Sequence, residues 1–261
     1  MIPKIIHLCW LSGDEYPPMI QECLNSWKKY LPDYEVWLWD TNRFDVNSTL
    51  WTRQAFEAKK YAFVADYIRL YALYNYGGIY LDSDVMVYKS FDDLLNLPYF
   101  IGQENGGSFE PAIIGAEKGL TWIGDILKYY ANRPFIIAEE KMDMTPLPVI
   151  FFDRLFGAFS FKSIHRIEYY VWDGKTIYLF DKDFFHSRNF MGSRKTIKSY
   201  CSHSFAGSWT PPRTGFNSWL KRILPKWIVK IIFYISHNTY KKAEVHQHDP
   251  IYMQKRTREY V

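Results

Sequence analysis

Between Thr49 and Asp84 the chain passes from helical to strand periodicity across two consecutive glycines, and the strand runs straight into two aspartates one residue apart. Residues 49–76 read as helix with a break near Lys59-Lys60. Gly77 and Gly78 stop it, because glycine enters the left-handed cap conformation without a Cβ clash. Ile79-Tyr80-Leu81 follow as a short apolar strand, and Asp82-Ser83-Asp84 stand at its C-terminal end. A long helix feeding a buried strand is one unit of a layered α/β fold, and in open α/β sheets ligands bind beyond the C-terminal ends of the strands. This segment therefore constrains the fold class and also marks where to look for chemistry.

The flanking sequence extends the same order. Pro3–Trp10 is short, apolar and rich in β-formers, and it ends at a Ser12-Gly13-Asp14 turn. Pro18–Tyr30 sets Met19/Ile20, Cys23/Leu24 and Trp27 at helical spacing behind a proline start. Tyr34–Trp39 alternates like a strand and stops at Asp40-Thr41-Asn42, so a parallel pair joined by a crossover helix is predicted. Downstream, Val85–Tyr88, Tyr99–Gln103 and Ala112–Ala116 are predicted strands, the last two around a Gly106-Gly107 loop. Phe91–Leu95, Leu120–Ala131 and Thr145–Phe156 are predicted helices, with Pro146 and Pro148 confined to the first turn of the last. Short β-like runs occupy 160–206. With no internal repeat and no low-complexity linker, one α/β domain over 1–215 and a helical tail over 216–261 are expected.

Charge separates these two parts. The tail carries 9 Lys+Arg against 3 Asp+Glu, whereas residues 1–215 carry 23 against 25. From Trp219 onward, Leu220, Ile223/Leu224, Trp227/Ile228, Ile231 and Ile235 recur at helical spacing, and Arg222, Lys226 and Lys230 fall on another face. Apolar and basic stripes with Trp at their boundary suit a helix lying on an anionic membrane surface, although a helix packed on the body would carry the same pattern. No apolar run approaches the roughly 20 residues needed to cross a bilayer, and the N-terminus lacks the charged leader of a signal peptide. Cys9, Cys23 and Cys201 have neither metal-ligand spacing nor the even count of a disulfide scaffold. A cytoplasmic protein held peripherally at the inner face of the cell membrane is expected, with no nucleic-acid partner. The 10 Trp, 21 Tyr and 19 Phe supply packing, and they also offer flat faces on which sugars or bases stack.

Asp82 and Asp84 repel one another unless a cation or hydrogen-bond donors sit between them. Hard carboxylate oxygens suit Mg²⁺ or Mn²⁺, and such an ion would neutralise a departing diphosphate. A solvated acidic turn is the plainer reading. Its position after Gly-Gly and an apolar strand favours the functional one. Asp66 and Arg69 lie three apart on the preceding helix and share a face, which an ordinary intrahelical ion pair would also explain.

The run Tyr61-Ala-Phe-Val-Ala-Asp-Tyr-Ile-Arg-Leu-Tyr-Ala-Leu-Tyr-Asn-Tyr-Gly-Gly-Ile-Tyr-Leu-Asp-Ser-Asp84 resembles the glycosyltransferases that carry a sugar-binding region containing DXD. That family includes capsular polysaccharide transferases, the yeast initiating mannosyltransferase and the glucosylating domains of large clostridial toxins. Pro3-Lys-Ile-Ile-His-Leu-Cys-Trp10 and His203-Ser-Phe-Ala-Gly-Ser-Trp209 extend the resemblance over roughly residues 1–210, in three blocks. It implies a single-domain GT-A fold and transfer with retention through an oxocarbenium-like transition state. Asp66 and Arg69 would hold hydroxyls of the donor sugar, Asp82 would contact ribose and sugar hydroxyls, and Asp84 would bind the metal. Trp10 would stack on the nucleobase, His203 would be a second metal ligand, and Ser208-Trp209 would lie near the β-phosphate. The toxins use other residue types at the His203 position. Met144-Thr145-Pro146 lacks the glycine of the family's Thr-Gly-Pro, so no role is carried there.

The resemblance thus implies a Mn²⁺- or Mg²⁺-dependent hexosyltransferase taking a UDP-sugar, with galactose ahead of glucose, N-acetylglucosamine or GDP-mannose, onto a lipid-linked saccharide in surface or capsular polysaccharide synthesis. A front-face mechanism, in which the departing phosphate deprotonates the acceptor, needs no protein base; Glu104 is a lesser candidate for a nucleophile. Two other classes compete. Phosphatases of the haloacid dehalogenase type also place D-x-D after an apolar strand, but Met86 stands where they want Thr or Val, and the motif lies far from the start. A non-catalytic membrane or polyanion-binding module would use the tail and leave Asp66, Arg69, Asp82 and Asp84 without a purpose.

Overall fold

The computed structural model describes residues 1–103, 109–139, 141–187 and 195–204. In chain order the elements are β1 (Ile5–Cys9), α1 (Pro18–Tyr30), β2 (Glu35–Trp39), α2 (Leu50–Glu57), α3 (Tyr61–Tyr76), β3 (Gly78–Leu81), β4 (Val85–Val87), β5 (Tyr99–Gln103) and β6 (Phe109–Ala116). Then follow α4 (Thr121–Leu127), β7 (Ile136–Ala138), β8 (Lys141–Met142), α5 (Leu147–Leu155), β9 (Ser160–Ile164), β10 (Thr176–Phe180), β11 (Phe185–Ser187) and β12 (Cys201–His203). Among the described residues a central seven-stranded sheet runs in the order β2-β1-β3-β6-β5-β10-β9. β6 is antiparallel to both its neighbours, β3 and β5, while every other pairing in this sheet is parallel. This is the α/β class expected from the sequence.

Strand geometry then sorts side chains into two cores, one on each face of the sheet. Successive residues point to opposite faces, so Ile79 and Leu81 of β3 enter one core and Tyr80 enters the other. Helix α3 packs Val64, Ile68, Leu70 and Leu73 into the Tyr80 side, and α4 and α5 add Trp122, Ile123, Ile150 and Phe151. The opposite core takes Trp27 of α1 together with Val85 and Val87 of β4. Helix α1 also grips β4 through hydrogen bonds: Trp27 Nε1 donates to the Val85 carbonyl (2.7 Å) and the Val87 amide donates to Ser26 Oγ (2.9 Å).

The expected break between the two helices lies at Lys59, which has φ +56°. The segment at 91–95 proves to be only a 3₁₀ turn over Asp92–Leu94. β6 begins at Phe109, earlier than the expected Ala112, even though Pro111 interrupts its donors. The short β-like runs near the end include β11 and β12, which join β4 in a separate three-stranded sheet. Glu104, the Gly106-Gly107 loop, Ser208, Trp209 and the whole tail from 216 lie outside the described residues.

The turn from α3 into β3 is held tightly. Gly77 and Gly78 have φ of +68° and +107°. His7 Nε2 donates to the Gly77 carbonyl at 2.7 Å, while its Nδ1 accepts from Trp39 Nε1 at 3.1 Å. That pair of bonds requires the neutral ring, and burial lowers the His7 pKa to about 4. β1, β2 and the glycine turn are thereby tied together, which sets the start of β3 and hence the position of Asp82. A Cβ at Gly78 would lie 2.7 Å from the Ile5 carbonyl oxygen and 3.0 Å from His7 Nε2. Gly78→Ala is therefore expected to lower stability by about 1–3 kcal/mol, the usual cost of such backbone strain. Urea denaturation checks this; an unchanged midpoint would show that the turn relaxes freely.

Candidate active site

At the C-terminal end of β3 the alternation that sends Tyr80 toward α3 sends Asp82 the same way. The Asp82 amide still donates to the Ala112 carbonyl (2.9 Å), so the ladder with β6 holds its backbone. Asp82 Oδ1 accepts from Tyr80 Oη at 2.8 Å and from Arg69 Nη2 at 3.0 Å. Arg69 is only 5% exposed. Its Nη1 donates to the Pro111 carbonyl at 2.7 Å, its Nη2 also lies 3.2 Å from Asp66 Oδ1, and its guanidinium sits 4.4 Å from the centre of the Tyr80 ring. One buried cation thus ties α3, β3 and β6 together and is shared by two carboxylates. Burial pushes the Asp66 carboxyl up to about 6 against the pull of Arg69, with nearby Asp82 adding to the rise. Asp82 is raised as well, first by burial, with Asp84 adding and Arg69 opposing.

The second sheet supplies the other half of the site. β12 pairs antiparallel with β4, setting His203 opposite Val85, and the Ser204 amide donates to the Asp84 carbonyl at 3.1 Å. His203 Nε2 is therefore 3.3 Å from Asp84 Oδ1 and 4.0 Å from Asp82 Oδ2. Its Nδ1 lies 3.3 Å from Glu110 Oε1, on β6. Burial works against a charged imidazole here, but Glu110 and Asp84 override it and hold the His203 pKa well above its ordinary range. Asp82, Asp84 and His203 each offer one ligand atom, and these atoms all lie within 4.8 Å of one another. Two carboxylate oxygens and an imidazole nitrogen fit a borderline-hard divalent cation, Mn²⁺ or Mg²⁺.

These groups open onto a cleft of about 590 Å³, lined by Trp10, Asp66, Arg69, Asp84, Glu110 and His203 among others. That volume falls within the range of small-molecule and cofactor sites. Trp10, just past the end of β1, is half-buried; its ring packs on Tyr16 at 4.8 Å and its Nε1 donates to the Asp14 carbonyl at 2.7 Å. Six residues singled out from the sequence, Trp10, Asp66, Arg69, Asp82, Asp84 and His203, thus share one cavity. Asp82 joins Asp84 and His203 in the ligand cluster, a placement that adds to the sugar-contacting part expected of it. Glu110 is the member that sequence leaves out. Its signal is a charged residue on the β-like approach to Ala112, hidden because Pro111 makes the strand look shorter than it is.

Residues 17–101, which run from α1 to β5, match the family model described as glycosyltransferase sugar-binding region containing DXD motif. Over that span the chain is similar to the DXD-type glycosyltransferases. It is 30% identical over 131 residues to inositol phosphoceramide mannosyltransferase 3 of Schizosaccharomyces pombe, a match covering 49% of this chain and 36% of that protein. It is 34% identical over 178 residues to inositol phosphoceramide mannosyltransferase 2 of the same yeast, covering 59% and 51%. The chain therefore spans between about a third and a half of these relatives' length. Among solved structures, the PaToxG glycosyltransferase aligns with a TM-score of 0.41 and 20% identity over 49% of this chain and 59% of that one. Asp66, Arg69, Asp82 and Asp84 fall inside the DXD region, whereas Trp10, Glu110 and His203 come from outside it and are delivered by the fold.

Arg69→Lys tests the shared cation. A lysine offers a point charge and cannot reach Pro111, Asp66 and Asp82 together. Losing one charge-assisted bond in the interior costs about 1.5–3 kcal/mol, and that loss is expected in chemical denaturation. An unshifted midpoint would show that Arg69 does not brace the site.

Proposed function

We propose that this protein is a metal-dependent glycosyltransferase that moves a hexose from a nucleoside diphosphate sugar onto a lipid-borne acceptor, in a body of the GT-A kind. The observation that carries this is the Asp82–Asp84–His203 cluster at the mouth of β3, inside a cleft whose floor is the DXD region. The reaction breaks the bond between the anomeric carbon and the diphosphate and forms one to the acceptor oxygen, with the acceptor proton passing to the departing phosphate. A bound Mn²⁺ or Mg²⁺ would neutralise the charge that develops on that diphosphate. Asp84 and His203 hold the cation, with Asp82 alongside. Asp66 and Arg69 accept from and donate to hydroxyls of the hexose, and Trp10 offers a flat face for the base. The family resemblance assigns Ser208 and Trp209, outside the described residues, to the diphosphate.

The two yeast relatives are named for mannosyl transfer to inositol phosphoceramide. That supports a mannosyl donor ahead of the galactosyl donor that the capsular enzymes suggest, and it supports an acceptor anchored in lipid. The decisive experiment is a hydrolysis screen of GDP-mannose, UDP-galactose, UDP-glucose and UDP-N-acetylglucosamine with Mn²⁺. One donor is expected to turn over, with activity abolished by chelator and restored by Mn²⁺ or Mg²⁺. Asp84→Asn should lose at least ~10²–10³ in rate, the usual consequence of removing one electrostatic stabiliser. Full turnover in chelator would sink the proposal.

We also propose that the tail, which is outside the described residues, brings this cleft to the membrane at the cytoplasmic face. Each basic residue near an anionic surface adds about 1 kcal/mol. The intact chain should co-sediment with anionic vesicles, and a chain ending at Gly215 should remain in solution while still hydrolysing the donor. Equal partitioning of the two would discard the anchor.

A further inference from the structure

Glu110 is 1% exposed. It reaches the cleft from β6, a strand that no part of the DXD region supplies. A carboxylate so deep in an apolar sheet is costly unless something cationic or donating answers it. Two groups do: the Ala112 amide donates to Oε1 at 3.3 Å, and His203 Nδ1 lies 3.3 Å from the same oxygen. The other face of that imidazole, Nε2, looks at Asp84 and Asp82. Imidazole that gives one nitrogen to a metal must carry its proton on the other, and a carboxylate placed there settles both the tautomer and the ring orientation.

We propose that Glu110 is the positioning residue for His203, accepting from Nδ1–H so that Nε2 is presented, unprotonated, to the divalent cation held by Asp82 and Asp84. The arrangement is a carboxylate–histidine–metal relay assembled from three places: β6 gives the carboxylate, β12 the imidazole and the end of β3 the aspartates. The bulge in the β5–β6 register between Ile101 and Gly102 falls where Glu110 pairs, opposite Gly102. There a Cβ on residue 102 would stand 3.2 Å from Phe185 and 3.4 Å from Glu110. A glycine at that spot leaves room for β6 to bring Glu110 against β12.

This inference rests on the metal reading of the site, and its test separates the two. Mn²⁺ alone is titrated into the full-length protein and its free concentration followed by electron paramagnetic resonance, without donor or acceptor. Glu110→Ala should weaken Mn²⁺ binding by about 10–100-fold, the usual effect of removing such a partner. Glu110→Gln, which keeps an accepting oxygen of the same shape, should recover most of the loss and guards against a simple folding defect in the alanine variant. In a His203→Ala background, Glu110→Ala should change Mn²⁺ affinity no further, because its effect passes through the imidazole. Additive losses would overturn the proposal. So would an alanine variant that binds Mn²⁺ normally but no longer transfers sugar, since that would make Glu110 a substrate contact or nucleophile. If the unaltered protein binds no Mn²⁺ at all, the metal reading itself has failed.

Discussion

The site depends on a single buried cation. Arg69 stands between Asp66 and Asp82, touches the ring and hydroxyl of Tyr80, and donates to the backbone of β6 at Pro111. Burial raises the carboxyls of both Asp66, to about 6, and Asp82, and Arg69 opposes the rise in each. A guanidinium can serve three partners at once because its donors are fixed in a plane. The helix-to-strand turn at Gly77-Gly78 then sets how far Asp82 lies from Arg69, and His7 sets the turn. Distant parts of the chain, β1, β2 and the end of α3, thus converge on one carboxylate.

The parts legible in the sequence are those set by local rules. Pro18–Tyr30 forms the expected helix because its proline start and apolar spacing agree, and α3 ends where two glycines remove the steric barrier to a left-handed cap. Asp66 with Arg69, and Asp82 with Asp84, are legible because each pair lies within one turn or one strand end. The resemblance added Trp10 and His203, which no local rule singles out. What stays illegible depends on long-range pairing. That β12 runs against β4, and so delivers His203 to Asp84, is a contact across more than a hundred residues of chain. Glu110 was obscured for a different reason: Pro111 reads as a strand breaker, yet here its missing N–H costs nothing, since Asp82 pairs with Ala112 and the Pro111 carbonyl is taken by Arg69.

The second sheet gives the cleft two walls of different origin. One wall is the DXD region, where α3 and β3 carry Asp66, Arg69, Asp82 and Asp84 within a short stretch of chain. The other is Trp10 from just past β1, Glu110 from β6 and His203 from β12. Helix α1 couples the walls mechanically, because Trp27 and Ser26 hold β4, and β4 holds β12. Within the DXD region the motif's spacing suffices to make two aspartates adjacent. It is the pairing of β4 with β12 that brings His203 to Asp82 and Asp84, in a cluster that could hold a metal ion.

Charge bears on what a ligand must bring to this cleft. Asp66, Asp82, Asp84 and Glu110 put four carboxyl groups around the cleft, and Arg69 and His203 are the bases set among them. An anionic ligand entering such a cleft meets carboxylates on several sides, and the Nη1 and Nη2 donors of Arg69 are turned to Pro111, Asp66 and Asp82. His203 as a cation compensates in part. Yet a single imidazolium is one charge, and it is already drawn to Glu110 and Asp84. A divalent ion held by Asp82, Asp84 and His203 would bring twice that charge to the point where the carboxylates gather. On the proposed function, the acidic character of the site would make the binding of an anionic donor depend on a cation.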